Sequence, residues 1–366
     1  MALKRCRKCG LPLQLSRRYV WPGNGVILSR RDPGMRMIMF EADYFAHMWS
    51  ALEELIGVNM ADAMIRGQHA ASQDYMDSNV LLGWRKTAVR HLPLRTIFDR
   101  TVSELALFGF AGVELMEYRP GKMLVMRVKH PFDIISIAWG AKGLAEFKEG
   151  MSSELAWKRE GDDYILTMIF ESAGRRGDGE TLETMRYMRD AKRELSLEGE
   201  LLPPQGDRGE PCPSCGLPAA LTELEWNEGE GTIRRIDNGR RYIFSTGHVF
   251  LGIVRDLEER TGRDLGPLIM KLTKDYHLRF LQGIPIRSRN GAYRAAARYL
   301  FAGGFGNVQG CDCGEGYLEM TIGNPFYVPR LVGRIAGLFE YIEDEQADIG
   351  YRSPQPQLLE LEIRAT

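Results

Sequence analysis

Several features are missing from this 366-residue chain, and each absence removes a class of function. No apolar run approaches the roughly 18 to 20 residues that a membrane-spanning helix needs. The first residues, Met-Ala-Leu-Lys-Arg-Cys, lack the apolar core of a signal peptide, so a cytoplasmic location is expected. Net charge is nearly absent: 48 Lys and Arg stand against 49 Asp and Glu, which leaves no global field to gather nucleic acid or an acidic membrane. The six histidines, His47, His69, His91, His130, His248 and His277, are scattered, with no His-Glu-x-x-His pair. No nucleophile elbow or phosphate-cradling Walker loop occurs either. Gly304-Phe305-Gly306 lacks the third glycine of a dinucleotide fingerprint and precedes a strand-like run. A haem ligand among the histidines is a remote reading, and surface or capping roles fit them better.

Cysteine is also scarce, but four of the six form a pattern. Cys6-Arg7-Lys8-Cys9-Gly10-Leu11-Pro12 recurs as Cys212-Pro213-Ser214-Cys215-Gly216-Leu217-Pro218. Two thiolates two residues apart, followed by a turn-forming glycine, make a knuckle that supplies half of a tetrahedral four-sulfur site. A self-contained zinc ribbon needs a second pair within about 15 to 20 residues, and neither knuckle has one. The simplest expectation is one structural Zn2+ shared by Cys6, Cys9, Cys212 and Cys215. An alternative closes Cys212 and Cys215 with Cys311 and Cys313, which strands Cys6 and Cys9 without partners. Lys4, Arg5, Arg7, Lys8, Arg17, Arg18, Arg30 and Arg31 surround the first knuckle; Glu210, Glu223, Glu225, Glu228 and Glu230 flank the second. Opposite charge would favour one docking register between them, against the simpler reading of two solvated surfaces.

The rest of the chain repeats in the same order. Strand-like runs at Leu13 to Trp21, Gly25 to Arg30 and Met35 to Phe40 correspond to Leu221 to Trp226, Gly231 to Ile236 and Arg240 to Phe244. Helical spacing follows at Phe45, Met48, Leu52, Leu55 and Ile56, and again at Phe250, Ile253 and Leu257. Second helices are expected near Met60 to Met76 and Leu265 to Leu281, and third helices near Leu94 to Phe108 and Ala292 to Phe301. About a dozen additional residues lie between the first and third helices of the first copy. Alternating strands then lead to His130-Pro131-Phe132 in one copy and Asn324-Pro325-Phe326 in the other. A glycine-containing helix and two closing strands complete each copy. The fold expected is α+β: two tandem homologous domains, residues 1–171 and 211–366, each an antiparallel sheet packed on a helical layer. A linker with one exposed charged helix, residues 172–210, joins them.

With these elements placed, the chain resembles the 4-vinyl reductase domain family, a small-molecule-binding domain related in fold to vesicle-tethering TRAPP subunits and haem-based nitric oxide sensors. The resemblance rests on the helix pair Val249 to Leu281, on Gly303-Gly304-Phe305-Gly306, and on Asn324-Pro325-Phe326 followed by Leu331-Val332-Gly333-Arg334-Ile335-Ala336-Gly337. In the first copy Gly109-Phe110-Ala111-Gly112 and Pro131-Phe132 carry it. It implies an apolar pocket between helices and sheet. Some members bind zinc through cysteines near the last helix, whereas here that helix begins Val328-Pro329-Arg330.

Methionine is dense in the first copy, at Met35, Met37, Met39, Met48, Met60, Met64 and Met76. Most of these suit a core, and Met also suits an irregular ligand pocket. Expected pocket walls are Phe45, Trp49, Phe108, Phe110 and Phe132 in the first copy, and Phe250, Phe301, Phe305 and Phe326 in the second. The leading functional expectation is a zinc-containing, non-enzymatic binder of an apolar small molecule, acting as sensor, carrier or adaptor, with a protein partner also open. A second is an enzyme or accessory in reduction of an aromatic or tetrapyrrole substrate. A third, less favoured, is nucleic-acid binding through the basic first knuckle, which would weaken steeply with salt.

Overall fold

A computed structural model describes residues 3–32, 34–75, 94–171, 179–195, 201–205 and 210–366. The protein is α+β, with antiparallel pairing in all its sheets. Each knuckle opens onto a short helical turn: α1 (Leu13–Arg18) in the first half and a 3-10 turn (Ala219–Glu223) in the second. The run from Leu13 was expected to be extended. It is helical because it enters from Pro12, whose fixed φ suits a helix start, and buries Leu15 on one face. Only Tyr19–Val20 (β1) and Leu28–Ser29 (β2) pair as strands before Met37–Glu41 (β3).

The helices of the two halves match in length. Helix α2 (Ala42–Ile56) and α7 (Gly247–Thr261) have 15 residues each, and both end on a left-handed glycine, Gly57 and Gly262. Helix α3 (Met60–Tyr75) and α8 (Gly266–Leu281) have 16 residues, α4 (Leu94–Leu107) and α9 (Arg289–Ala302) have 14, and α5 (Ile134–Glu149) and α10 (Val328–Glu343) have 16. Strands β4 (Gly112–Arg119), β5 (Met123–Lys129), β6 (Ser152–Glu160) and β7 (Asp163–Glu171) form a sheet in the order β4-β5-β7-β6. In the second half β8 (Leu224–Asn227), β9 (Thr232–Arg235) and β10 (Arg241–Thr246) precede α7. There β11 (Asn307–Gly314), β12 (Tyr317–Gly323), β13 (Ala347–Gln355) and β14 (Leu358–Ala365) repeat the order as β11-β12-β14-β13. The additional residues of the first half fall between α3 and α4, outside the described residues.

A third sheet, β3-β10-β9-β8, joins the halves. Strand β3 runs antiparallel to β10 with Met39 opposite Phe244, Met37 opposite Thr246 and Glu41 opposite Tyr242. The last strand residue before each helix, Glu41 or Thr246, thus pairs near the start of the partner strand, as in a two-fold interface. The same contacts recur on both sides of this axis. Met39 N–H donates to Gly303 O at 2.9 Å and Phe244 N–H to Phe108 O at 2.8 Å. Trp21 Nε1 donates to Ala302 O at 3.1 Å and Trp226 Nε1 to Leu107 O at 3.0 Å. The segment from each knuckle to its strand therefore packs on the other half's sheet. Phe40 reaches Phe305 and Phe326, and Tyr44 reaches Tyr276 and His277, so side chains from both halves share one core.

The connecting helix α6 (Gly179–Leu195) was expected to be exposed. It instead buries Met185, Met188, Ala191 and Leu195, and Met188 sits where a Cβ on Gly252 of α7 would lie. Its charged positions face outward, while these four apolar residues recur at helical spacing, a stripe that a reading weighted to total charge overlooks.

Two left-handed glycines hold the exchanged segments at close range. Gly25 (φ 77°) and Gly231 (φ 62°) press on the backbone of Gly306 and Ala111, where an added Cβ would stand 2.1 Å and 1.9 Å from a carbonyl carbon. Gly231→Ala therefore combines unfavourable φ with a backbone clash, and is expected to destabilise the protein by about 3 kcal/mol or more in urea unfolding. Gly239→Ala has φ strain but open space around it, and should cost roughly 1 kcal/mol.

Candidate metal centre and apolar cavity

The knuckles adopt one geometry. Cys6 N–H donates to Leu11 O at 2.8 Å and Gly10 N–H to Cys6 O at 2.9 Å; Cys212 N–H donates to Leu217 O at 2.9 Å and Gly216 N–H to Cys212 O at 2.8 Å. Gly10 and Gly216 both take φ 74°, which turns the chain back over the sulfurs. The two knuckles meet across the axis, with Cys6 Sγ 3.9 Å from Cys212 Sγ and Cys9 Sγ 3.5 Å from Cys215 Sγ. All four sulfurs lie within 4.8 Å of one another. A tetrahedron of thiolates with metal–sulfur bonds near 2.3 Å has edges of about 3.8 Å, so this donor set can hold a metal ion.

The protein primes the sulfurs unequally. Backbone N–H groups of Cys9 and Lys8 directed at Cys6 lower its thiol pKa to about 6, and those of Ser214 and Cys215 lower Cys212. Cys9 and Cys215 pack against Leu3, Leu11, Leu217 and their neighbours; desolvation raises both, Cys215 to about 12. A divalent cation would outweigh these differences and keep all four deprotonated. Cys311 and Cys313 stay outside the cluster, on β11, where Cys313 Sγ donates to Asn290 Oδ1 at 2.9 Å. The basic and acidic surroundings of the knuckles touch at one place. Leu3 N–H donates to Glu228, Arg5 lies 3.7 Å from Glu228, and Arg5 also donates to Trp226 O at 2.7 Å.

Of the anticipated pocket walls, Phe45, Trp49, Phe108, Phe110, Phe132 and Phe250 line one cavity of about 250 Å³ in the first half. It is bounded by α2, α3, α4, α5 and the inner face of β4 and β5, and closed by β10 and α7 of the second half. Met35, Met37, Met64 and Met126 complete its apolar surface. Trp49 Nε1 and Ser136 Oγ are buried in its wall without a protein hydrogen-bond partner among the described residues. Phe301, Phe305 and Phe326 are core residues of the second half and do not line it.

Matched position by position, the helices of the two halves differ in the side chains at this space. In the second half the corresponding space is filled by Arg330, Arg334, Tyr299 and His277, with Glu41 reaching across from β3. At the matching positions of the first half stand Ser136, Gly140, Glu104, Ala71 and Thr246, and all five line the cavity. Arg334 Nη1 donates to Glu41 Oε1 at 2.6 Å, Arg330 Nη2 to Glu41 Oε2 at 3.2 Å and Tyr299 Oη to Glu41 Oε1 at 2.8 Å. The Arg330 guanidinium is held among Phe40, Tyr44 and Phe305, at 4.7, 4.4 and 4.5 Å from their ring centres. Burial and the adjacent Arg334 keep His277 neutral, its pKa well below the usual range. Sequence reasoning passed over this plug. The available signal was two arginines one helical turn apart, Arg330 and Arg334, in a stretch from Val328 to Phe339 that is otherwise free of charge.

No family model matches this chain, and no curated protein or solved structure is similar to it.

Glu41 is fully buried, and although desolvation opposes ionisation, Arg334 and Arg330 hold its carboxyl below the ordinary range. A depressed carboxylate contributes stability that is present above its unfolded pKa, near 4.3, and is lost as pH falls toward the folded value. Glu41→Gln should therefore cost roughly 3 to 5 kcal/mol at pH 7 by leaving buried arginines unpaired, and the gap from wild type should narrow below about pH 4. Denaturant titrations of both proteins across this pH range measure it.

Proposed function

We propose that this protein is a tandem duplication clamped by one structural Zn2+ on Cys6, Cys9, Cys212 and Cys215, and that it binds one uncharged, mainly apolar small molecule in its first half. It acts as a sensor, carrier or adaptor without chemistry of its own. The observation that carries this reading is the pairwise difference between the halves: one filled by an ion cluster, the other left hollow by Ser136, Gly140 and Ala71. A cavity maintained by small side chains costs packing energy, so a resident molecule would supply the missing contacts. A hydrogen-bond acceptor on that molecule would satisfy Trp49 Nε1, and Ser136 offers a second polar contact. The resemblance to 4-vinyl reductase domains agrees with this role.

The zinc serves as a clamp in this reading. Four thiolates from two sequence-distant segments would join the N-terminal knuckle to the middle of the chain, restricting the unfolded state as well as the folded one. Native mass spectrometry of gently purified protein should find one zinc per chain. Cys6→Ser or Cys212→Ser should remove it and lower Tm, and a strong chelator should lower the wild-type Tm in the same direction.

Gly140 offers a direct test of the cavity. Its Cβ direction is open, with Ser72 Oγ as nearest neighbour at 3.5 Å, so a larger side chain would grow into the hollow. Gly140→Leu should leave Tm unchanged or higher, since leucine also favours the helix by about 0.5 to 1 kcal/mol, while abolishing co-purification of a small-molecule mass. Retention of the same organic mass by the folded variant would overturn the assigned site.

A further inference from the structure

The two outer sheets repeat one strand order, but their free edges are treated differently. Of the four edge strands, three are interrupted. The ladder of β4 shifts between Leu115 and Glu117, that of β11 between Val308 and Gly310, and that of β13 between Arg352 and Gln355, where Pro354 also removes a donor. Bulges and proline are the usual means by which an edge is closed to further pairing. Strand β6 has neither: all nine residues from Ser152 to Glu160 pair with β7 without a shift. On its outer edge the Ser153 N–H donates to Glu146 Oε1 at 2.7 Å and the Ser153 carbonyl accepts from Lys142, so the backbone left open to a further strand runs from Leu155 to Arg159, around Trp157, which is 39% exposed.

The side chains along β6 are ordered about Ala156. Glu154 lies two residues before it and Lys158 two after; both are exposed, and neither joins an ion pair among the described residues. Leu155 and Trp157 flank it on the opposite face. Antiparallel pairing of β6 with a second β6 on a two-fold axis through Ala156 sets Glu154 against Lys158 twice and Leu155 against Trp157 twice. Ser152 then meets Glu160 and Ser153 meets Arg159, so no like charges oppose. Sliding the register by two residues in one direction sets Glu154 against Glu160, and in the other sets Glu154 against Ala156, which forfeits both ion pairs.

The neighbouring sheet surface supports the same partner. The outward positions beside this edge, Met123, Val125, Ile165 and Ile169, correspond to Tyr317, Glu319, Glu360 and Arg364 on the second sheet. At these four positions the first sheet is apolar, with Ile169 52% exposed, where the second is aromatic or charged, although Arg127, Lys129 and Asp163 share the first sheet's outer face.

The geometry points to β6 as a homodimer edge: two copies of this chain pair β6 to β6 about Ala156 and form one continuous eight-stranded sheet from their first halves. The partner is a second copy because the strand complements itself, in charge and in apolar contacts, in one register. This assembly is independent of the zinc and of the cavity ligand.

Sedimentation equilibrium on the full-length chain tests it by charge reversal. Wild type is expected to be dimeric at micromolar concentration. Glu154→Lys alone and Lys158→Glu alone each turn two attractive pairs into two repulsive ones, and should raise the dimer Kd roughly tenfold or more. Combined in one chain, the two reversals restore opposite charges and should return Kd to within a few-fold of wild type. Both side chains are exposed, so circular dichroism and Tm should match wild type in all three variants. A wild type that stays monomeric to its solubility limit would overturn the proposal. So would a dimer indifferent to the single reversals, or one that the double reversal fails to restore.

Discussion

The antiparallel pairing of β3 with β10 around Met39 and Phe244 is the constraint on which the rest of the molecule depends. Because position 39 lies opposite its own counterpart, every contact on one side of the pairing has a twin on the other: the carbonyl acceptors Gly303 and Phe108, the indole donors Trp21 and Trp226, the close-packed glycines Gly25 and Gly231. The pairing also carries each knuckle across to the other, which is why four cysteines separated by some two hundred residues of chain converge on one point. Neither half presents a complete core alone, since Phe40 and Tyr44 fill the second half and Phe244 and Phe250 close the first.

Within that frame the halves differ, one interior holding charged side chains where the other holds space. Side chains that fill one interior are replaced in the other by serine, glycine, alanine and threonine, and Tyr299 by Glu104. Buried ion clusters are poor stabilisers, yet they are costly to break and strict about geometry. The filled half is thereby fixed in one arrangement, while the hollow half is lined by methionine and aromatic side chains.

Much of this was legible in the sequence. Repeated knuckles, glycine turns and helical spacing located almost every element and the four sulfurs, because these features depend on local spacing. The helical turn at Leu13 was misread since six residues are too few to separate periods of two and 3.6. The buried stripe of α6 was masked by its high charge, although Met185, Met188 and Leu195 held the signal. The plug at Glu41 was unreadable for a different reason. Its partners lie nearly three hundred residues away, and only the crossed pairing of β3 with β10 brings them together.

Glu41 stands at the end of β3, while Thr246 occupies the matching end of β10. Two copies of the second half, joined to each other, would bury Arg330 and Arg334 twice with a threonine where each needs a carboxylate. Two copies of the first half would bury Glu41 twice beside Ser136 and Gly140, with no arginine at either of those positions to receive it. Each half therefore supplies what the other lacks: a carboxylate from the first, two guanidinium groups from the second. A single carboxylate on one strand makes the two positions in this arrangement non-interchangeable.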